Sequence, residues 1–118
     1  MKVIVAGSRD FFDYDFVENE LDYYLGNVSE HIEIVSGCCA GVDQLGITYA
    51  KKRKYDIKEF PANWAKYHKA AGPIRNEEMA RYADAAIVFW NGRVEKSGSY
   101  DMITKAMLFN LKLRIVRI

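Results

Sequence analysis

Cysteine and proline each occur only twice among these 118 residues, and neither sign of charge prevails: 17 Lys and Arg stand against 16 Asp and Glu, a formal charge of +1. That balance removes the bulk electrostatic footprint of a polyanion-binding protein, leaving at most a local basic patch. The two cysteines, Cys38 and Cys39, are adjacent, lack CxxC spacing and have no third partner, so no metal is expected. They read as small side chains in a tight turn of a protein kept reduced. The opening MKVIVAG has too few apolar residues for a signal-peptide core, and no run approaches the roughly 20 apolar residues of a membrane span. A cytoplasmic protein without membrane contact is expected. Also missing are Pro/Gly/Ser-rich linkers, low-complexity tracts and internal repeats, which points to one domain over residues 1–118.

What is present is a repeating order of apolar runs. Half of the residues are hydrophobic and 14% aromatic, enough to build a core. KVIVA, HIEIVSG, IKEFPA, DAAIVFWNG and KLRIVRI are short runs with strand character. Between them lie DFVENELDYYL, VDQLGITYAKKRKY, a segment starting near Pro73, and MITKAMLFN, each with helical spacing of apolar residues. Asp15 with Glu18 predicts a capping box for the first helix, and Pro73 a first helical position for the third. Val42, Leu45, Tyr49 and Ala50 are expected to face inward on the second helix, and Ile74, Met79 and Tyr82 on the third. Lys51, Lys52, Arg53 and Lys54 suit the last turn of a helix and read as a solvated face rather than a nucleic-acid patch. Five strands alternating with four helices predict an α/β protein, a Rossmann-like three-layer sandwich on a five-stranded parallel sheet. Ligands of such sheets bind beyond the carboxyl ends of the strands.

Every unusual stretch falls at such an end. Gly37, Cys38, Cys39, Ala40 and Gly41 precede a helix, where backbone N–H groups and small side chains can cradle a phosphate; a tight turn without ligand explains them equally well. The stretch is neither GxGxxG nor a Walker loop, and no cofactor is expected. Gly7, Ser8 and Arg9 end the first strand, and Arg9 offers a bidentate donor to phosphate or carboxylate unless it pairs with Asp10 or Asp13. Ser97, Gly98 and Ser99 open the last helix as a second anion seat, or as a serine cap at Ser99. Arg75 and Asn76 form a polar pair able to meet an anion or sugar. Of Trp64, Tyr67 and Trp90, the last is favoured as a ligand contact because FWNG ends a strand, whereas the other two are read as covering the sheet edge. His68 has no partner that would make it a catalytic base. Tyr23, Tyr24, Tyr82 and Phe109 are expected as exposed aromatics, from which a homodimer or larger homo-oligomer follows.

GSRDFFDYDFVENELD, SGCCAGVD, FPANWAKYHKAAGPIRNEEM, ADAAIVFWNG and SGSYDMI, in this order along nearly the whole chain, resemble the SLOG superfamily, and within it the small YspA or YpsA-related family. The block PANW followed by AGPIRNEEM is the most specific. The resemblance implies a Rossmann-like fold that binds nucleotides or nucleotide-derived molecules; related branches include cytokinin-releasing phosphoribohydrolases, DNA-processing protein A and defence sensors of ADP-ribose-like messengers. It places the ligand on Gly7, Ser8 and Arg9, on the turn from Gly37 to Asp43, beside Arg75 and Asn76, and on Gly98 and Ser99. Two positions depart from it: Ala40 stands where the family carries a basic residue, and Ser99 where it carries threonine. The phosphoribohydrolase glutamate falls on Met102, whose thioether neither transfers a proton nor stabilises an oxocarbenium-like centre.

The leading expectation is therefore a nucleotide-like small-molecule binder, acting as sensor or sequestering protein. The alternatives are an N-glycosidase or phosphoribohydrolase-type hydrolase of nucleoside monophosphates, with Asp43, Glu77 or Glu78 in place of the missing glutamate, and single-stranded DNA binding, which the near-neutral charge disfavours. For Asp43 the other reading is a carboxylate bonding to backbone N–H groups of the turn.

Overall fold

A computed structural model describes residues 1–118. The strands are β1 (Lys2–Gly7), β2 (Glu33–Ser36), β3 (Asp56–Glu59), β4 (Ala85–Trp90) and β5 (Lys112–Arg117). They form one all-parallel sheet in the order β3-β2-β1-β4-β5. The helices are α1 (Tyr14–Leu25), α2 (Val42–Arg53), the single turn α3 (Trp64–Tyr67), α4 (Ala71–Tyr82) and α5 (Gly98–Leu108).

Alternate residues of each strand point to opposite faces, and each face supports its own core. Val3, Val5, Ile34, Ile87 and Phe89 pack under α1 and α2 through Val17, Leu21, Val42 and Tyr49. Ile4, Ala6, Val35, Ala86 and Val88 pack under α4 and α5 through Met79, Ala80, Met102, Ile103 and Ala106. This is the Rossmann-like three-layer α/β sandwich that the continuous apolar runs predict.

Several local expectations change. The N-cap of α1 is Asp13, which accepts the Phe16 N–H at 3.1 Å, so the helix starts ahead of the Asp15–Glu18 box. Residues from Trp64 onward are helical rather than loop: Asn63 caps α3 through the Lys66 N–H at 3.1 Å, and a short 3₁₀ turn over His68–Ala70 leads into α4. Pro73 is thus the third residue of α4, still within the first turn, where its missing N–H leaves no helical bond unmade. The last helix begins at Gly98, and its cap is Ser97, not Ser99: Ser97 Oγ accepts the Tyr100 N–H at 3.1 Å. On α2, Gly46 and Ile47 are buried and Leu45 only half-buried.

The exposed aromatics are largely different ones from those expected, with Phe12, Trp64 and Tyr67 among them. Tyr23 is 77% exposed, but Tyr24, Tyr82 and Phe109 are half-buried against the two cores. The basic end of α2 is partly paired with α1, since Arg53 meets Asp22 at 2.7 Å and Lys52 meets Glu18 at 3.2 Å. No helix is long and apolar enough to cross a membrane.

Candidate functional site

The chain leaves β1 toward one face of the sheet and β4 toward the other, so the neighbouring carboxyl ends of β1 and β4 open a crevice at the point where strand order reverses. A cleft of about 450 Å³ occupies it. Gly7, Ser8, Arg9 and Asp10 line one side, Cys39 and Asp43 the rim of α2, and Arg75, Asn76 and Met79 the α4 side. Asn91, Arg93, Lys96, Ser97, Gly98, Ser99 and Met102 close the remaining side. A second cavity of about 310 Å³ adjoins it, lined by Gly37, Cys38, Ala40, Pro61, Ala62 and Trp64, together with Arg9, Cys39 and Arg75 from the first.

The turn before α2 holds itself shut. Cys38 N–H donates to Ser36 Oγ at 3.2 Å, Cys39 N–H to Asp43 Oδ2 at 3.1 Å, and Val42 N–H to the Ser8 carbonyl at 3.1 Å. Three donors that a phosphate would use are already taken. Gly41 sits behind the turn at φ 76°, where a Cβ would lie 2.3 Å from the Ser8 carbonyl oxygen, so only glycine fits. Cys38, at φ 66°, turns its thiol to Glu59 at 3.1 Å; burial, then that carboxylate, push the thiol up to about 11.

The start of α5 is open by contrast. Ser97 takes the Tyr100 N–H through its hydroxyl and the Asp101 N–H through its carbonyl, which leaves Gly98 and Ser99 N–H groups without acceptors inside the helix. A Cβ added at Gly98 would meet nothing within 4 Å. Lys96 beside it makes no ion pair, and Arg93 donates Nε–H to the Glu95 carbonyl at 3.0 Å. Opposite them Arg9 has neither ion pair nor hydrogen bond, because Asp10 accepts the Ser8 hydroxyl and Asp13 caps α1. Its guanidinium lies 5.8 Å from the centre of the Trp64 ring.

Arg75 and Asn76 are buried, at 7% and 4% exposure, and tie these two turns together. Arg75 Nη1 donates to the Gly37 carbonyl at 2.6 Å and its Nε to Asn76 Oδ1 at 2.9 Å. Asn76 Nδ2 donates in turn to Asp101 Oδ2 at 2.9 Å, and Lys105 holds the other oxygen of Asp101 at 2.9 Å. A carboxylate, two cations and an amide thus form a strut from the glycine turn to α5. Asp43 sits at its end, buried, with its carboxyl pushed up to about 6 by desolvation and drawn back by the Cys39 N–H, Arg75 and Arg9.

Other expected residues stand elsewhere. Trp90 lies outside both cavities, its N–H given to the Arg93 carbonyl at 2.7 Å and its ring 5.8 Å from that of Tyr100. Glu77 pairs with Arg81, and neither it nor the exposed Glu78 lines either of these two cavities. Asp10, named only as a possible partner of Arg9, and Asn91, Arg93, Lys96 and Asp101 were not singled out as site residues, although each lies in or beside a stretch ending a strand; a polar or charged residue within such a stretch was the usable signal. Met102 forms part of the floor, fully buried.

The family model described as YspA, cpYpsA-related SLOG family matches residues 1–67 of this chain. No curated protein matches it.

Proposed function

We propose, for a chain that belongs to the YspA, cpYpsA-related SLOG family, that residues 1–118 act as one domain binding a nucleotide or nucleotide-derived small molecule in the cleft between β1 and β4. Family membership supports a nucleotide-related ligand in general terms. The observation that carries the finer reading is the open start of α5: two free N–H groups at a helix N-terminus, flanked by Lys96 and faced by the unpaired Arg9. That is an anion seat with a donor on each side. Arg75 and Asn76, whose polar atoms are engaged within the protein, act here by holding the glycine turn and α5 in register.

Isothermal titration with AMP and with ADP-ribose tests this reading. Binding that weakens in Arg9→Ala and survives in a surface variant such as Lys112→Ala supports it; no binding of either compound rejects it. Turnover is not expected, because Met102 supplies neither proton transfer nor charge stabilisation. Release of free base from nucleoside monophosphates at about 1 per second or faster would make the hydrolase reading primary. One observation favours that second reading: Asp43, a carboxyl with a pKa of about 6, lies in the cleft and is the acid or base to test by Asp43→Asn.

Self-association as a homodimer accompanies the proposal. The exposed apolar side chains available to it are Met107 and Leu108 on α5 and Ile115 on β5, with Tyr23 on α1 across the sheet. Light scattering at micromolar concentration decides between monomer and dimer.

A further inference from the structure

The smaller cavity shares Arg9, Cys39 and Arg75 with the cleft, so a single molecule can extend from one into the other. Their linings differ in chemistry. The cleft is ringed by Arg9, Arg93 and Lys96, whereas the smaller cavity is walled by Ala40, Pro61, Ala62 and Trp64. We propose that this smaller cavity seats the planar base of the nucleotide, stacked on Trp64, while its phosphate rests at the start of α5. The assignment rests on the reading above for the phosphate end.

Three features of Trp64 carry it. The ring is 47% exposed and lines the cavity, yet it is not loose: Gly72 of α4 lies against its edge, where an added Cβ would be 3.5 Å from ring atom Cη2. The Asn63 cap fixes the turn that bears it. Arg9 stands 5.8 Å from the ring centre at the junction of the two cavities, placed to serve the phosphate or ribose while bordering the base. A flat heteroaromatic ring gains stacking on indole at little desolvation cost beside Ala40, Pro61 and Ala62, and Arg9, which lines both cavities, stays available to the phosphate side. Trp90, the other tryptophan, is unsuited to this role because its N–H and its ring are engaged with Arg93 and Tyr100.

The test uses the full chain carrying Trp90→Phe, which leaves Trp64 as the only tryptophan, and compares AMP, ribose 5-phosphate and adenosine. AMP is expected to quench the indole fluorescence and to bind about tenfold more tightly than ribose 5-phosphate, which leaves the fluorescence unchanged. In the otherwise unaltered protein, Trp64→Ala should bring AMP down to the affinity of ribose 5-phosphate by calorimetry, and Trp64→Phe should retain most of the difference. Equal affinities for AMP and ribose 5-phosphate, with Trp64→Ala neutral, overturn the base seat and leave the phosphate reading standing. Quenching by adenosine with no gain from its phosphate supports the base seat and removes the phosphate reading instead. A short 5′-phosphorylated oligonucleotide that binds more tightly than AMP overturns the assignment to a free nucleotide.

Discussion

Two turns at the same edge of the sheet introduce helices with glycine and small residues, one before α2 and one before α5, and they differ in how many of their backbone donors the protein itself engages. In the first, the N–H groups of Cys38, Cys39 and Val42 bond to Ser36, Asp43 and Ser8. In the second, those of Gly98 and Ser99, which line the cleft, have no acceptor within the protein. The difference lies in a side chain: Asp43, the second residue of α2, folds back onto its own loop, whereas Asp101, the fourth residue of α5, is held by Asn76 and Lys105. A glycine-bearing helix start becomes an anion seat only when no carboxylate of the protein already occupies it.

The sharpest way to break this comparison is glycine against glycine. Gly41→Ala places a Cβ within 2.3 Å of backbone at φ 76° and should cost about 3 kcal/mol or more in urea unfolding. Gly98→Ala meets open space and should change stability by less than about 0.5 kcal/mol. Similar losses at both positions would end the distinction between a structural and an open turn.

Next in size is the arginine pair. Arg75→Ala strands the buried Gly37 carbonyl and Asn76 Oδ1 and should destabilise the ligand-free protein by about 3 kcal/mol. Arg9→Ala should leave the melting temperature unchanged and weaken AMP binding by about 1.5–3 kcal/mol, which separate unfolding and calorimetric measurements resolve.

Asp43 gives the closed turn a pH signature. Its carboxyl moves from the ordinary 3.8 to about 6, so between those values the unfolded chain has released a proton that the folded chain still holds. Stability from this group is therefore complete below about pH 4, falls as pH rises toward 6, and is flat above, with a total loss of at most about 3 kcal/mol. Unfolding of the parent and of Asp43→Asn across that window should differ by this slope. Parallel profiles would show that Asp43 titrates normally.

The smallest effect concerns Cys38. A thiol held up at about 11 by burial and Glu59 should react with iodoacetamide at pH 8 about tenfold or more slowly than a free thiol, and Glu59→Gln should quicken it. Peptide mapping by mass spectrometry separates it from Cys39.

Much of the fold follows from local pattern. KVIVA and AAIVFW are apolar on both alternating faces, which suits a strand covered on both sides, and Val17, Leu21 and Leu25 return to one face of α1 every four residues. These periodicities fix strands, helices and the parallel three-layer arrangement without knowledge of any distant contact. The sequence also directed attention to the strand ends that line the cleft. Which groups remain free there was decided by partners far along the chain: Arg75 meets Gly37 across 38 positions and Asn76 meets Asp101 across 25. Burial turned that polar pair inward as a strut, left Trp64 rather than Trp90 facing a cavity, and closed one glycine turn while opening the other. A hydrogen bond satisfies its donor only once, and the partner that reaches it first is set by tertiary packing, which residue type and spacing do not encode.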